Sequence, residues 1–389
     1  MSIKNDLSLS AIVAGFVAVL VGFASSVTII IQAAQAAGAS AHHIVSWITA
    51  LGIGMGLTCF CLSWYYKKPI ITAWSTPGAA LLVTSLEGVS YPEAIGIFVM
   101  TGVMIFVVGI SGFFNRLMAL IPHQIACAML AGILFQFAIA IFDVMATEFN
   151  QIFIMFLAYL LTKRLLPRYS IPLVLCVALL LIFNDDAIQL SPSLFSFESD
   201  LIWQMPEFNL TLMMGVALPL FIVTMSAQNL PGIVAMKANN INVSTAPLIS
   251  WTGITTILLA PFGGFAFNLA AITAAICMGP ECHKQLDKRY IAGLSAGVFY
   301  CLAGLGGAGI VAVFSLFPKG IIIALAGLAL LSTVGGNLKM ALDDERTRDA
   351  SLVTFLVTIS NISFWGISSA FWGILFGLLC LCFISKKIV

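Results

Sequence analysis

Gln228 and Asn229 stand side by side inside the apolar run 210–236 and are followed at once by Pro231 and Gly232. An amide in such a run costs free energy unless it finds a hydrogen-bond partner. Two interpretations stay open: the amides hold neighbouring helices together in a membrane, or they line a cavity that binds a ligand. Because the Pro-Gly pair loosens the backbone at the same point, the pattern favours the cavity.

A second group of polar side chains lies in residues 67–88, KKPIITAWSTPGAALLVTSLEG. Pro69 and the β-branched residues after it favour extended chain, whereas Ser75-Thr76-Pro77 followed by small residues is typical of a helix start. We expect a short extended piece that runs into a half-helix near the membrane midplane. Free N–H groups and a partial positive charge at that start predict an anion site. A single Pro-kinked transmembrane helix is the alternative.

A similar interruption recurs about 195 residues later, close to half the chain length, in residues 261–275, PFGGFAFNLAAITAA. Gly263 and Gly264 break the apolar run, Asn268 is the expected N-cap, and Thr273 follows in the second half-helix. Paired interrupted segments in inverted halves are the best sequence indication of a transporter's binding site.

Charged side chains fall only at loops and at the ends of the apolar runs, and all four histidines do so too. The sequence therefore offers no intramembrane acid or base for a proton relay and no nucleophile–base pair for an enzyme. The nine cysteines form neither a disulfide framework nor a metal site and are interpreted as packing residues. We expect no enzymatic activity, no cofactor and no bound metal.

Composition sets the class of protein: 61% of the residues are hydrophobic and 8% are charged, against about 25% charged in soluble proteins. The sequence predicts an all-α polytopic membrane protein without a cleaved signal peptide, and the net charge of +1 argues against nucleic-acid binding. At about 20 residues a span, fourteen transmembrane segments are expected. They are residues 12–37, 43–64, 69–86 (broken), 92–113, 121–142, 149–162, 170–183, 210–236, 246–261, 263–279 (broken), 290–312, 319–338, 350–364 and 366–384.

Basic residues test this count, because cytoplasmic loops are enriched in Lys and Arg. With the N-terminus in the cytoplasm, all of the 17 basic residues except Lys319 fall on the cytoplasmic side. Both termini are then cytoplasmic. Residues 1–183 form a first seven-span repeat, 184–209 a periplasmic linker, and 210–389 a second repeat that is inverted because seven is odd.

Three motifs carry a family resemblance: residues 73–82 (AWSTPGAALL), 228–232 (QNLPG) and 270–277 (AAITAAIC). Together they resemble the BenE-type benzoate:proton symporters of bacterial inner membranes, which are similar in fold to nucleobase, sulfate and bicarbonate transporters. The resemblance implies a core domain from about 12–113 and 210–312 and a gate domain from about 121–183 and 319–384. It also implies alternating access, often as a homodimer in the lipid bilayer, with import of benzoate or a similar aromatic carboxylate together with protons. The alternative is a carrier of the same fold, or an uncoupled facilitator, for another small organic or inorganic anion.

The predicted site combines the two half-helix starts with span 8, span 1 and an aromatic wall, and it contains no fixed cation. Proton-coupled nucleobase carriers of this fold place carboxylates on spans 8 and 10, where this chain has amides, so the substrate's own carboxyl group or a water-mediated route would carry the proton. The predicted substrate-binding residues are Ser25, Trp74, Ser75, Thr76, Gln228, Asn229, Phe267, Asn268 and Thr273.

Overall fold

The computed structural model describes residues 6–112, 114, 122–166, 170–183, 199–270, 272–279, 282–362, 364 and 369–384. The first half contains α1 (Leu9–Ala36), α2 (Ala41–Tyr66), β1 (Thr72–Ala73), α3 (Thr76–Ser85), α4 (Tyr91–Ser111), α5 (His123–Thr147), α6 (Phe149–Leu165) and α7 (Ser170–Phe183). The second half contains α8 (210–238), α9 (Thr245–Leu259), β2 (Asn268–Leu269), α10 (Ile272–Met278), α11 (Tyr290–Leu305), α12 (Gly307–Ser315), α13 (Lys319–Leu342), α14 (Arg348–Ile359) and α15 (Ser369–Ile384).

Each predicted segment coincides with a helix, a bent helix pair or a strand followed by a helix. Among the described residues, six helices are individually long and apolar enough to cross a membrane, and the number rises to eight when two bent pairs are counted. The helical architecture agrees with the expected class, while the count of fourteen crossings remains a prediction.

The two interrupted segments meet through their extended pieces. Strand β1 pairs antiparallel with β2, with Thr72 opposite Leu269 and Ala73 opposite Asn268. Because an unpaired backbone in a membrane interior leaves polar groups unsatisfied, each broken segment supplies hydrogen bonds that the other lacks. The expected short extended piece and half-helix are therefore present in both halves.

The two half-helices begin differently. At α3, the Ser75 hydroxyl accepts a hydrogen bond from the Gly78 N–H at 3.1 Å, as expected for an N-cap. Asn268 was expected to cap α10, and this expectation is wrong. It lies in β2, four residues before Ile272, and its Nδ2 donates to the Ala266 carbonyl at 2.9 Å. The residue is engaged in the strand pair and is too far upstream to reach the helix start.

Helix packing follows the internal repeat. Helix α2 packs along α11, and α4 packs along α9. In the count of fourteen segments, these pairs are 2 with 11 and 4 with 9. Because segments 2 and 9 are counterparts in the two halves, as are 4 and 11, exchanging the halves converts one pair into the other. Helix α5 instead packs on its own counterpart, α13. Small residues permit the close approach of α2 and α11, because a Cβ at Gly304 would lie 2.9 Å from the Gly52 Cα. Small residues at facing positions are typical of closely packed helices in membranes.

Residues 199–209 form an extended strap over the ends of α2, α4 and α9, and the remainder of the predicted linker lies outside the described residues. The Ile202 N–H donates to the Ser46 hydroxyl at 3.0 Å, and the Glu207 N–H donates to the Pro92 carbonyl at 2.9 Å. The chain that enters α8 is therefore tied to the first half of the molecule before the helix begins.

Candidate functional site

A cavity of about 420 Å³ lies between two groups of helices. One wall is built by α1, α2, the start of α3, the middle of α8, α10 and α11, and the opposite wall by α5 and α13. The cavity thus lies where the two broken segments and α8 come together, which is where the sequence predicts a site. Its volume falls in the range of pockets that bind small molecules.

Four of the predicted residues line this cavity: Trp74, Thr76, Gln228 and Thr273. Gln228 is half-buried, and its side-chain amide has no hydrogen-bond partner among the residues that the structure describes. Since a half-buried amide beside a cavity favours any molecule that completes its hydrogen bonds, Gln228 is the best-placed polar group for a ligand.

The backbone around Gln228 is not a regular α-helix. Residues Met225–Asn229 form a π-helical turn, and Met213–Ala217 form another earlier in α8. Such wide turns inside helices are often found at functional sites. The expected loosening of the backbone near Pro231 therefore takes the form of a π turn that ends two residues before it.

Four other predicted residues are buried behind the cavity wall rather than lining it: Ser75, Asn229, Phe267 and Asn268. The Asn229 Oδ1 accepts a hydrogen bond from the Leu269 N–H at 2.9 Å, which ties α8 to β2. Ser75 caps α3 and also accepts a hydrogen bond from the Thr224 hydroxyl at 3.2 Å. These side chains position the broken segments. Ser25 belongs to α1, and its side chain lies outside the described part of the structure.

An aromatic wall closes the deep end of the cavity. The Trp74 indole N–H donates to the Ser26 hydroxyl at 2.8 Å, and the Ser26 hydroxyl donates to the Gly22 carbonyl at 2.9 Å. The Phe23 ring packs edge-on against Trp74 with centroids 4.7 Å apart. Tyr300, which hydrogen-bonds to Thr273, lines the same region.

Neither Ser26 nor Tyr300 is among the substrate-binding residues predicted from the sequence, which include Ser25 instead. Tyr300 lies in the apolar run 290–312, where no polar neighbour marks it. The α5 and α13 wall was missed for a similar reason. It consists mainly of small and apolar side chains such as Ala126 and Leu330, with His123, Cys127, Thr333 and Asn337 nearer the helix ends.

The exposure of the lining residues indicates the end at which the cavity opens. Trp74 and Tyr300 at the deep end are 4% and 2% exposed, whereas Met340 at the other end is 42% exposed, and His123 there is also exposed. The mouth therefore lies between the start of α5 and the end of α13. Under the predicted topology, this is the cytoplasmic side.

Charge and shape limit what the cavity can hold. Among the described residues that line it, none is Lys, Arg, Asp or Glu. One wall carries Gln228, Thr76 and the start of α3, and the rest is aromatic or apolar. This arrangement suits a small molecule that has one polar end and one flat apolar face.

Comparison with known proteins agrees with this architecture. A family model described as benzoate membrane transport protein matches residues 5–383. The chain is 46% identical over 369 residues to the inner membrane protein YdcO of Escherichia coli, covering 95% of this chain and 94% of that protein. It is 41% identical over 378 residues to the benzoate membrane transport protein of Acinetobacter baylyi, covering 97% and 96% of the two chains.

The fold is also similar to the solved transmembrane domain of the cyanobacterial bicarbonate transporter BicA, with a TM-score of 0.57, 14% sequence identity and 96% of each chain covered. At this identity, the likeness concerns the fold alone. It supports the expected inverted-repeat fold class with core and gate domains, and the apolar helices are those of a multi-pass membrane protein. The chain belongs to the BenE family of benzoate membrane transport proteins.

Proposed function

We propose that this protein imports benzoate or a similar aromatic carboxylate, together with protons, across a bacterial inner membrane by alternating access. The observation that carries the proposal is the cavity at the two broken segments. There the Gln228 amide, which has no partner among the described residues, faces an aromatic and apolar lining. An aromatic acid needs hydrogen-bond donors or a positive dipole for its carboxylate and flat apolar contacts for its ring.

The start of α3 offers the carboxylate only a narrow point of contact. Pro77 has no N–H, and the Gly78 N–H is already taken by the Ser75 hydroxyl. Thr76 therefore presents the remaining polar atoms of the helix start to the cavity. We place the carboxylate between Thr76 and Gln228, where the positive end of α3 favours negative charge without a buried Lys or Arg.

The ring then lies toward Trp74 and Tyr300 and against the apolar α5–α13 wall. Offset or edge-on contacts with these aromatic side chains contribute about 0.5–1.5 kcal/mol each beyond burial of apolar area. The Ser26 hydroxyl holds the Trp74 indole in place through the 2.8 Å hydrogen bond. Binding by dipole, amide and aromatic contacts explains how an anion site can lack a fixed cation.

Alternating access requires two domains that move relative to each other, and each would carry one wall of the cavity. We propose that residues 12–113 and 210–312 form the core, which carries Gln228 and both half-helices, and that residues 121–183 and 319–384 form the gate. Movement of the core along α5 and α13 would carry the substrate between the two sides of the membrane. Homodimers fixed through the gate would suit such a movement.

Proton coupling needs a group that takes up a proton near the substrate. No Asp or Glu lines the described cavity, and His123 lies at its mouth rather than beside Gln228. We therefore propose that the substrate's own carboxyl group, or a water-mediated route, carries the proton. An uncoupled facilitator is the second candidate, and the same lack of a carboxylate or histidine deep in the described cavity favours it.

Uptake of labelled benzoate into proteoliposomes, with and without an inward proton gradient, tests the proposal. We expect accumulation above equilibrium that requires the gradient and is blocked by unlabelled salicylate but not by uracil or sulfate. Gln228→Ala should weaken benzoate binding on the order of tenfold, as for one lost hydrogen bond to a charged group. Gln35→Ala, an exposed glutamine outside the cavity, is the matched control.

The outcomes separate the parts of the proposal. Equilibration without accumulation would leave a facilitator and remove the proton coupling. Absence of benzoate uptake by protein that is demonstrably folded would remove the substrate while leaving the fold untouched. Equal benzoate affinity in wild type and Gln228→Ala would show that the amide does not contact the carboxylate.

A further inference from the structure

A buried arginine lies beside the half-helix α10 but not in the cavity itself. Arg289 occupies the turn between a 3₁₀ segment, Leu286–Lys288, and the start of α11. At 9% exposed, it is the most buried charged side chain that the structure describes, and it is not among the residues that line the cavity. Because a buried charge is costly unless it is paired or hydrogen-bonded, its partners indicate what it does.

The partners of Arg289 are backbone carbonyls at the end of α10 and in the turn after it. Its Nη1 donates to the Met278 carbonyl, and its Nε donates to the His283 carbonyl at 2.7 Å. Met278 is the last residue of α10, and the final four carbonyls of a helix have no partner within that helix. The guanidinium therefore closes the negative end of α10 with charge-assisted hydrogen bonds.

The place of Arg289 in the chain shows which helix it serves. It directly precedes Tyr290, the first residue of α11, and so stands beside the positive end of that helix, where a cation is unfavourable. The start of a helix favours Ser, Thr, Asp or Asn at this position. An arginine here is unfavourable for α11 and favourable for α10.

Helix α10 needs this support because it has only seven residues and is too short to be stable by itself. Its upstream end is fixed by the paired strands, where the Ala270 N–H donates to the Ile71 carbonyl at 2.9 Å. Between the two ends, Thr273 lines the cavity and hydrogen-bonds to Tyr300 at the deep end. The direction of α10 therefore determines where Thr273 meets Tyr300.

We propose that Arg289 is a positioning residue for the substrate site, which fixes the C-terminal end of α10 and thereby holds Thr273 against Tyr300. Without the guanidinium, the Met278 carbonyl loses its donor and the end of α10 separates from the turn before α11. Thr273 then no longer orients the Tyr300 ring, which contacts the ring of the substrate. That contact rests on the proposed function, whereas the attachment of α10 does not.

Native thiols report the attachment of α10 without any substrate. Cys277 lies on α10 and Cys59 on α2, and both are fully buried. In detergent, Arg289→Ala should make Cys277 react with N-ethylmaleimide on the order of tenfold faster than in wild type, as for one lost charge-assisted hydrogen bond, while Cys59 stays protected. The matched control is Tyr290→Phe. It removes the neighbouring 2.9 Å hydrogen bond from the Tyr290 hydroxyl to Asp6 and should leave both thiols protected.

Rescue separates positioning from a general loss of stability. Guanidinium ion, at concentrations too low to denature the protein, should restore the protection of Cys277 in Arg289→Ala, because it can donate to the same two carbonyls. Tetramethylammonium, which has no N–H donor, should not. Arg289→Lys keeps the charge but lacks the planar fork, so its Cys277 should react at an intermediate rate. Benzoate affinity of the same samples should fall on the order of tenfold in Arg289→Ala and recover with guanidinium.

The proposal is overturned if Cys277 is as protected in Arg289→Ala as in wild type, or if Cys59 becomes reactive together with it, which would show general unfolding. Loss of Cys277 protection at unchanged benzoate affinity would overturn the positioning role. If wild type binds and transports no benzoate, the proposed function fails, while the thiol measurements still decide whether Arg289 holds α10.

Discussion

Gln228 and Asn229 are neighbours in one π turn, yet their side chains face different surroundings. Gln228 lines the cavity and has no partner among the described residues, whereas Asn229 is fully buried and bonded to the backbone of β2. Of the two interpretations left open by the sequence, an amide that holds elements together applies to Asn229, whereas Gln228 lines the cavity and its binding of a ligand stays a prediction.

Substituting each amide by alanine should separate binding from stability. Asn229→Ala leaves the buried Leu269 N–H without its acceptor, which costs about 1–3 kcal/mol and lowers the thermal midpoint of the detergent-solubilised protein by several degrees. Gln228→Ala removes no hydrogen bond within the described protein, so its midpoint should stay near that of wild type while substrate affinity falls. Thermal unfolding followed in parallel with substrate binding measures both effects. A larger loss of stability in Gln228→Ala than in Asn229→Ala would contradict these assignments.

Residue types were predictable at this scale, whereas their directions were not. The polar residues near the broken segments were identified because they interrupt apolar runs, and Trp74, Thr76 and Thr273 do line the cavity. Which of Ser25 and Ser26 would meet Trp74 depends on the rotation of α1 against its neighbours, and the sequence of α1 alone does not fix that rotation. Tyr300 could not be identified, because an aromatic residue in an apolar run usually packs in a core.

At the scale of elements, local chain preferences predicted the broken segments well. The β-branched run before Trp74 leads into β1, Thr72–Ala73, and Ser75-Thr76-Pro77 starts α3 as expected from its capping chemistry. The Asn268 cap failed because the antiparallel partner of Asn268 is Ala73, a long-range contact that competes with local capping. The π turns of α8 were not predictable in form, since an added residue in a helical turn has no distinct sequence pattern.

The close packing of α2 on α11 predicts that a larger side chain at Gly304 destabilises the protein. Gly304→Ala places a Cβ about 3 Å from backbone atoms of Gly52 and Thr49, which cannot move as a side-chain tip could. We expect a loss of about 1–3 kcal/mol, as for other overpacked sites. Gly335→Ala on α13 is the matched control, since its Cβ meets nothing within 4 Å and alanine favours the helix by about 1 kcal/mol. Thermal midpoints of the two variants in detergent provide the comparison, and equal midpoints would show that α2 and α11 are not in contact as described.

At the scale of the whole molecule, the inverted repeat accounts for both the packing and the place of the cavity. The pairs α2–α11 and α4–α9 exchange under the repeat, while β1–β2 and α5–α13 pair with their own counterparts. The cavity lies between these two self-paired sets, so each half supplies one broken segment and one principal helix of the opposite wall. The repeat offset was visible in the sequence, but the mouth of the cavity was not, because the state in which a transporter rests depends on a small free-energy difference between two packings.

The position of the mouth and the predicted topology can be tested together by cysteine accessibility in oriented membrane vesicles. Thr333 lines the cavity on α13, and Gln35 is exposed at the end of α1 that the topology places in the periplasm. A membrane-impermeant thiol reagent should label Thr333→Cys in inside-out vesicles and Gln35→Cys in right-side-out vesicles. The background for both variants replaces by serine the three exposed thiols and the one in the cavity, Cys61, Cys176, Cys382 and Cys127.

Transported substrate should slow the labelling of Thr333→Cys, because it occupies or closes the cavity, and should leave that of Gln35→Cys unchanged. Labelling of both positions from the same side would contradict the topology. If Thr333→Cys reacts only in right-side-out vesicles while Gln35→Cys keeps its expected side, the cavity opens to the periplasm. The end of α13 near Met340 could not then be its mouth. Because Gln35 reports orientation and Thr333 reports access, the pair separates an error in the topology from an error in the resting state.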